Sequence, residues 1–225
     1  MDSIPYHAYI ISSITEVTIT QPLDVIKTIK QNGMIPQYNF RSLYKGFTPR
    51  LSGNIPSLSM FLFSQSYLDS KLNMNKYHNK LVLPMIAGFT QTLIDNPIEV
   101  IKINQIMNLK NYNFFRGFIP HYFKNSILIG SVYHSRKYAE DNLHSSYSNF
   151  NGVFGAIGGL IGTYASHPLD TIKTLQQSNN TVNIKKLKFK ELLTGMHLRG
   201  LMNFISFTVS LTVFDVIKEV KIPFE

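Results

Sequence analysis

A six-residue pattern that occurs three times constrains this chain more than any other feature. The pattern is a proline, any residue, an acid, two further residues and a lysine, and its copies begin at Pro22, Pro97 and Pro168. The prolines are 75 and 71 residues apart in the 225-residue chain. Repetition at a nearly fixed spacing indicates a repeat architecture. The alternative, three ordinary capped helix ends with local ion pairs, leaves this repetition unexplained.

The pattern predicts a ring of ion pairs inside a membrane. Each copy follows about 20 mostly apolar or small residues, enough to cross a hydrocarbon core. Proline kinks a helix, and neighbouring helices in a membrane accommodate the kink. The acid and the lysine share one helix face, and charges at membrane depth face the bundle interior and pair. We therefore predict kinks at the three prolines and three inter-repeat pairs: Asp24–Lys102, Glu99–Lys173 and Asp170–Lys27.

On these motifs the chain resembles the mitochondrial carrier family, whose signature is Pro-x-[Asp/Glu]-x-x-[Lys/Arg] at the end of each odd-numbered helix. The resemblance covers essentially the whole of a short, divergent chain. It implies an all-α membrane protein with six transmembrane helices in three pseudo-repeats around a central cavity. The repeats are 1–80, 81–150 and 151–225. It also implies a multi-pass protein of the mitochondrial inner membrane. The sequence is rich in Asn, Ile and Lys, which hints at a virus or a protist as its source, and for a virus the membrane would be that of the host mitochondrion.

The resemblance assigns roles to residues near the motifs. Gln31 and Gln177 match a glutamine that braces the matrix-side ion pairs, whereas the second repeat has Ile106. The pairs Lys45-Gly46 and Arg116-Gly117 match an element that binds cardiolipin phosphates. Backbone N–H groups at the following helix start favour such binding. The third copy, Leu193-Thr194-Gly195, is degenerate, and an interfacial anchor is the alternative role.

Two levels of side chains, counted from these glycines, are predicted to face the cavity. Basic residues or histidine stand four positions after each glycine, with snorkelling to the matrix interface as the alternative. The resemblance places substrate contacts seven and eight positions after it, where the second residue is always asparagine and can donate and accept hydrogen bonds. The predicted substrate-binding residues are Arg50, Asn54, His121, Lys124, Asn125, Arg199 and Asn203.

A second ion-pair ring is predicted at the cytoplasmic side. The segment from Phe214 to Lys218 matches a second family signature, with Asp215 as its acid. The fourth helix has Lys137 and Glu140 at the same offsets, with their signs reversed. The pattern therefore predicts a weak gate, and solvated charges at the helix ends are the alternative. The expected pairs are Glu140–Lys218 and Asp69–Lys137, whereas Asp215 has no evident partner.

The basic residues predict which side the loops occupy. The segments 27–50, 102–124 and 173–199 hold five, four and six Lys or Arg, 15 of the 22 in the chain, and their only acid is Glu191. Such a bias marks the side on which loops are retained, here the matrix. The loops are shorter than is usual in the family, and we expect the second to be hardly more than a turn.

The sequence favours a transporter over an enzyme. It contains no Cys, no Ser/His/acid or metal-ligand constellation and no phosphate-binding Gly-x4-Gly-Lys loop. We therefore predict alternating access without a cofactor or metal, in a monomer bound by membrane lipids such as cardiolipin. Two other classes remain, a carrier-like scaffold without transport and a soluble nucleic-acid binder suggested only by the net charge of +9.

The predicted substrate is a small anion. A cavity lined by Arg50, Lys124 and Arg199 attracts multiply charged anions, and arginine suits phosphates. Tyr133 and Tyr164 offer rings that can stack a base, which favours a nucleotide or deoxynucleotide. The pair Lys124-Asn125 resembles one found in carboxylate carriers, so a di- or tricarboxylate is the alternative.

Overall fold

The computed structural model describes residues 6–54, 56–57, 77–110, 112–142, 151–178, 187–206 and 208. These residues contain α-helices and no β-strand. The helices are α1 (Tyr6–Gln31), α2 (Phe40–Leu43), α3 (47–54), α4 (Tyr77–Met107), α5 (Phe118–Asn142), α6 (Asn151–Ala165), α7 (His167–Gln177), α8 (Phe189–Leu192) and α9 (196–206). None of the described helices combines the length and the apolar character that a membrane crossing requires.

The three motif prolines do not have the same place in their helices. Pro22 lies inside α1 and Pro97 inside α4, and both helices continue beyond the proline for at least nine residues. In the third repeat the helix is interrupted at Ser166, and Pro168 is the second residue of α7. A proline at the start of a helix loses no hydrogen bond, because the first N–H groups have no intrahelical acceptor. The predicted kink at Pro168 therefore corresponds to a local interruption at Ser166, where the backbone bonds from Ser166 to Gly162 and from Asp170 to Ser166 are kept.

The carbonyl that Pro22 leaves without a partner is used for a tertiary contact. In an uninterrupted helix the N–H of residue 22 would donate to the carbonyl of Thr18, but proline has no N–H. The Tyr44 hydroxyl, which comes from the loop before α3, lies 3.2 Å from the Thr18 carbonyl oxygen. The proline therefore exposes an acceptor that helps to attach the loop to α1.

Helices α5 and α6 approach closely through small residues. A Cβ atom added to Gly158 or Gly162 would overlap Ser131, and at Gly158 also Ser135. Small residues at a helix interface allow the backbones to come together. The packing of these two helices therefore depends on the missing side chains of the two glycines.

The loops that follow the three motif-bearing helices, α1, α4 and α7, are short. Helices α2 and α8 each have four residues, and between α4 and α5 the described residues 108–110 and 112–117 contain no helix. The expectation of a minimal second loop therefore agrees with the structure. Each of the three loops ends in a glycine with positive φ, at Gly46, Gly117 and Gly195.

The predicted cytoplasmic ring falls mostly outside the described residues. Asp69, Asp215 and Lys218 lie outside them, and so does the side chain of Glu140 in α5. Lys137, also in α5, is partly buried. The predicted pairs of this ring stay predictions.

Candidate functional site

The acids and lysines of the three motifs meet in one cluster, which we call the charged ring. Each motif supplies one acid and one lysine from α1, α4 or α7. Between repeats, three lysine Nζ atoms each lie 2.9 Å from a carboxylate oxygen, in the pairs Lys102–Asp24, Lys173–Glu99 and Lys27–Asp170. These are the pairs that the spacing of the motifs predicts.

Contacts within each motif complete the ring. The acid and the lysine of one motif are 3.6 Å apart for Asp24–Lys27, 2.6 Å for Glu99–Lys102 and 3.7 Å for Asp170–Lys173. The six charges therefore alternate in sign around a closed circuit. Five of the side chains are at most 9% exposed, and Glu99 is 25% exposed. Alternation matters because a buried charge without a partner is strongly destabilising.

Two further cations lie beside the ring without belonging to the motifs. Arg50 Nη1 is 3.7 Å from Asp24 Oδ2, and Lys124 Nζ is 3.8 Å from Asp170 Oδ1. Each of these two acids therefore faces three cations, whereas the described ion pairs of Glu99 are with Lys102 and Lys173 alone. Arg50 and Lys124 connect the ring to the helices that follow the loops.

The two predicted brace glutamines make different contacts. Gln31 Nε2 lies 3.4 Å from Asp170 Oδ2 and 3.1 Å from Thr171 Oγ1, beside the Lys27–Asp170 pair. Gln177 Nε2 instead donates to Asn96 Oδ1 at 2.8 Å. In the second repeat Ile106 occupies this position and packs with Val25 and Ile29, so an apolar contact replaces the amide there.

Each loop glycine packs against the ring lysine of the next repeat. A Cβ atom added to Gly46 would lie 2.8 Å from Lys102 Cγ, one on Gly117 would lie 3.1 Å from the Lys173 carbonyl oxygen, and one on Gly195 would lie 2.9 Å from Lys27 Cγ. The φ angles of 74°, 71° and 81° also favour glycine. These glycines therefore bring each loop against the helix of the following repeat.

The residue before each motif proline holds the loop of its own repeat. Gln21 Nε2 donates to the Lys45 carbonyl at 2.6 Å, and Asn96 Nδ2 donates to the Phe114 carbonyl at 2.6 Å. His167 Nε2 lies 3.0 Å from the carbonyl oxygen of Thr194. Our sequence reasoning missed these residues. The signal was present, since a polar residue precedes the proline in all three copies.

The basic or histidine side chains four positions after the glycines also contact the helix that precedes the loop in their own repeat. Arg50 Nη2 donates to Thr20 Oγ1 at 2.8 Å, and His121 Nδ1 lies 3.0 Å from Asn96 Oδ1. Arg199, which is 6% exposed, donates to the Thr163 carbonyl at 3.2 Å and to Ser166 Oγ at 3.1 Å. These three side chains therefore connect the helix after each loop to the helix before it.

A polar cavity of about 170 Å³ lies against the charged ring, between α3, α4 and α5. Glu99 and Lys102 of the ring form part of its wall. Four of the predicted substrate-binding residues line it: Arg50, Asn54, His121 and Lys124. Gly53 also lines it, and α3 packs so closely on Ile98 there that a side chain at position 53 would collide with α4.

The three asparagines that were expected at one level have different partners. Asn125 donates to Thr92 Oγ1 at 3.0 Å, and Asn203 donates to Thr163 Oγ1. Both threonines stand five positions before a motif proline, where the first repeat has Val17. The side chain of valine cannot accept a hydrogen bond. The Asn54 amide, which lines the cavity, has no hydrogen-bond partner in the described part of the chain. Of the three, Asn54 is the one that the structure brings to the cavity.

Sequence reasoning missed three polar residues of the cavity wall: Ser57, Gln91 and Asp95. Gln91 Nε2 donates to Ser57 Oγ at 3.2 Å, and Ser57 is in turn a hydrogen-bonding neighbour of Asp95. Asp95 lies two positions before Pro97, where the other repeats have Thr20 and Ser166. The second repeat therefore has an acid where the other two have a hydroxyl side chain. This difference could have been found by comparing the three copies of the sequence.

The predicted lipid-binding residues lie at the loop ends. Lys45 Nζ is 3.0 Å from Asn108 Oδ1 in the loop after α4, and Gly46 and Gly117 precede α3 and α5 directly. Arg116 is partly exposed. Cardiolipin binding at these positions stays a prediction. Across the described ranges, no group of three or more His, Cys, Asp or Glu side chains is arranged to hold a metal ion.

Comparison with known proteins identifies the relatives of this chain. No protein-family model matches it. It is 25% identical to a probable mitochondrial 2-oxodicarboxylate carrier of Schizosaccharomyces pombe, over 79% of this chain and 76% of the carrier. It is also 25% identical to mitochondrial thiamine pyrophosphate carrier 1 of Saccharomyces cerevisiae, over 78% and 72%. A mitochondrial glycine transporter of Laccaria bicolor is 23% identical, over 73% and 76%. All three are named as transporters rather than enzymes.

Proposed function

We propose that this chain, a divergent member of the mitochondrial carrier family, transports a small carboxylate-bearing metabolite across the mitochondrial inner membrane by alternating access. The observation that carries the proposal is the closed charged ring, which forms part of the wall of a polar cavity. Six membrane-crossing helices in three repeats, with both termini on the cytoplasmic side, belong to the same proposal.

The ring acts as the matrix-side gate. Opening it breaks three inter-repeat ion pairs, and a substrate can drive this change only if it binds the open or intermediate state better than the closed one. Lys124 and Arg50 connect the substrate cavity to the ring, because each lies within 3.8 Å of a ring acid and also lines the cavity. An anionic substrate competes with Asp24 and Asp170 for these cations, and this competition weakens the ring.

The cavity favours a small carboxylate over a nucleotide. Its volume of about 170 Å³ is below the roughly 300–1,000 Å³ of pockets that hold drug-sized ligands. Tyr133 is 8% exposed, Tyr164 packs over Gly200, and neither lines this cavity, so the expected stacking surface for a base is missing from it. Two of the relatives are named for small carboxylates, a 2-oxodicarboxylate and glycine.

Uptake by liposomes that contain the purified protein tests the proposal. The vesicles are loaded with malate, alanine or ATP, and entry of the matching labelled compound is followed. Uptake of malate or alanine supports a carboxylate carrier, whereas uptake of ATP or dATP alone restores the nucleotide hypothesis. A folded protein that takes up none of them contradicts transport and favours the carrier-like scaffold.

Two lysine variants test the site itself. We expect Lys124→Ala to abolish uptake, because it removes the cavity cation next to Asp170. Lys110→Ala is the matched control, since Lys110 is exposed in the loop after α4. Equal activity of the two variants contradicts the proposed role of Lys124.

A further inference from the structure

The cavity contains a carboxylate that does not belong to the charged ring. Asp95 lines the cavity from α4, one helical turn before Glu99. In the described part of the chain, Asp24, Glu99 and Asp170 are all paired with lysines, whereas Asp95 forms no ion pair with a described residue. Its hydrogen-bonding neighbour in the wall is Ser57, which also accepts a hydrogen bond from Gln91, and Lys124 lines the same wall beyond ion-pair distance.

An acid in this position limits what the cavity can bind. A partly buried carboxylate without a cationic partner is costly, because burial removes the water that stabilises its charge. A substrate that carries only negative charge would be repelled by Asp95 as it approached Lys124 and Arg50. A substrate that brings its own cation would instead supply the partner that the described residues do not provide, because opposite charges at contact distance attract strongly where water is excluded.

The cavity wall also provides groups for an anion. Lys124 and Arg50 are its cations beside the ring, with side chains 13% and 16% exposed. The Asn54 amide, which has no partner among the described residues, adds a hydrogen-bond donor and acceptor to the same wall. The cavity therefore offers an anion-binding part and a cation-binding part within one small volume.

We infer that the cavity selects a zwitterion, a small molecule with one carboxylate and one protonated amino group, as in a free amino acid. The carboxylate binds Lys124 and Arg50, and the amino group binds Asp95, with Ser57 and Gln91 as polar neighbours. This inference rests on the proposed transport function and specifies its substrate class. It makes Asp95 a specificity-determining residue.

Labelled alanine and labelled malate separate the two classes in the liposome assay. We expect the native protein to take up alanine faster than malate. Asp95→Asn keeps the size and polarity of the side chain but removes its charge, and we expect it to reduce alanine uptake by about tenfold or more while malate uptake is retained or rises. Asp95→Glu restores the charge and is expected to recover part of the alanine uptake.

Controls distinguish a selectivity effect from a loss of fold. Glu191→Gln removes an exposed acid in α8 and should leave both rates unchanged. Asp95→Asn should unfold at a temperature close to that of the native protein. A parallel fall of alanine and malate uptake in Asp95→Asn, or preference of the native protein for malate, overturns the zwitterion inference while the transport proposal stands. No uptake of either compound, nor of the nucleotides, overturns both.

Discussion

Lys27 Nζ lies 2.9 Å from Asp170 Oδ2, although the two residues are 143 positions apart in the chain. This contact joins the first repeat to the third and closes the charged ring. The side chains are 9% and 3% exposed, so water screens the attraction only weakly. The pair is therefore one of the contacts that hold the first motif against the third on the proposed matrix side, together with the contact of Gln31 with Thr171.

Exchange of the charges of this pair tests the ring directly. We expect Lys27→Asp alone to abolish uptake, since it places a third carboxylate beside Asp24 and Asp170. The double variant with Asp170→Lys should recover part of the uptake. Recovery is incomplete because the new lysine lies near Lys173 and Lys124, which are 3.7 and 3.8 Å from the native carboxylate. Uptake of labelled alanine and malate measures the outcome, and a double variant no better than the single one contradicts the pairing.

The ring acids should differ in their effect on stability. Asp170→Asn leaves three cations around a side chain that is 3% exposed, and breaking a buried pair costs about 3–5 kcal/mol. Glu99→Gln should cost less, because Glu99 is 25% exposed and water can partly replace its charge. Thermal unfolding in detergent compares the two variants, with Glu191→Gln as the control. A larger loss for Glu99→Gln is inconsistent with this account.

The loop glycines allow backbone strain and tight packing to be separated. Gly33 and Gly46 have φ angles of 71° and 74°, so alanine at either position meets a similar conformational cost of about 1–2 kcal/mol. A Cβ atom at position 33 has open space, whereas at position 46 it approaches Lys102 Cγ at 2.8 Å and the Lys102 carbonyl oxygen at 3.1 Å. We expect Gly46→Ala to lower the melting temperature more than Gly33→Ala and to reduce uptake. Equal effects would show that strain alone explains both glycines.

Two asparagines at equivalent positions should have separable roles. Asn54→Ala removes a cavity amide that has no partner among the described residues, so we expect a higher apparent KM with little change in stability. Asn125→Ala breaks the 3.0 Å bond to Thr92 Oγ1 at a 4% exposed site and should lower stability by about 1 kcal/mol. Concentration-dependent uptake and thermal unfolding of both variants test this. A reversed pattern would place the substrate contact at Asn125 instead.

The sequence by itself determined the helical class of the described residues and the pairing within the charged ring. Three copies of one motif predict three similar helical segments, and in each of them an acid and a base three positions apart share a helix face. Once three such faces converge, each acid lies next to the lysine of another copy, as Asp24 does with Lys102. The spacing within one motif predicts only which residues share a helix face. The presence of three copies also predicts which residues of different helices form ion pairs.

Only the tertiary structure decided how the repeats differ from one another. Asn125 and Asn203 donate to threonines, whereas the first repeat has valine at the equivalent position and Asn54 lines the cavity between α3, α4 and α5 instead. Asp95 gains its significance in the same way, because its position in the sequence does not reveal that it lies in the cavity wall without an ion pair to a described residue. Such differences depend on which side chains of separate helices come within hydrogen-bond distance, and the spacing along one helix cannot specify that.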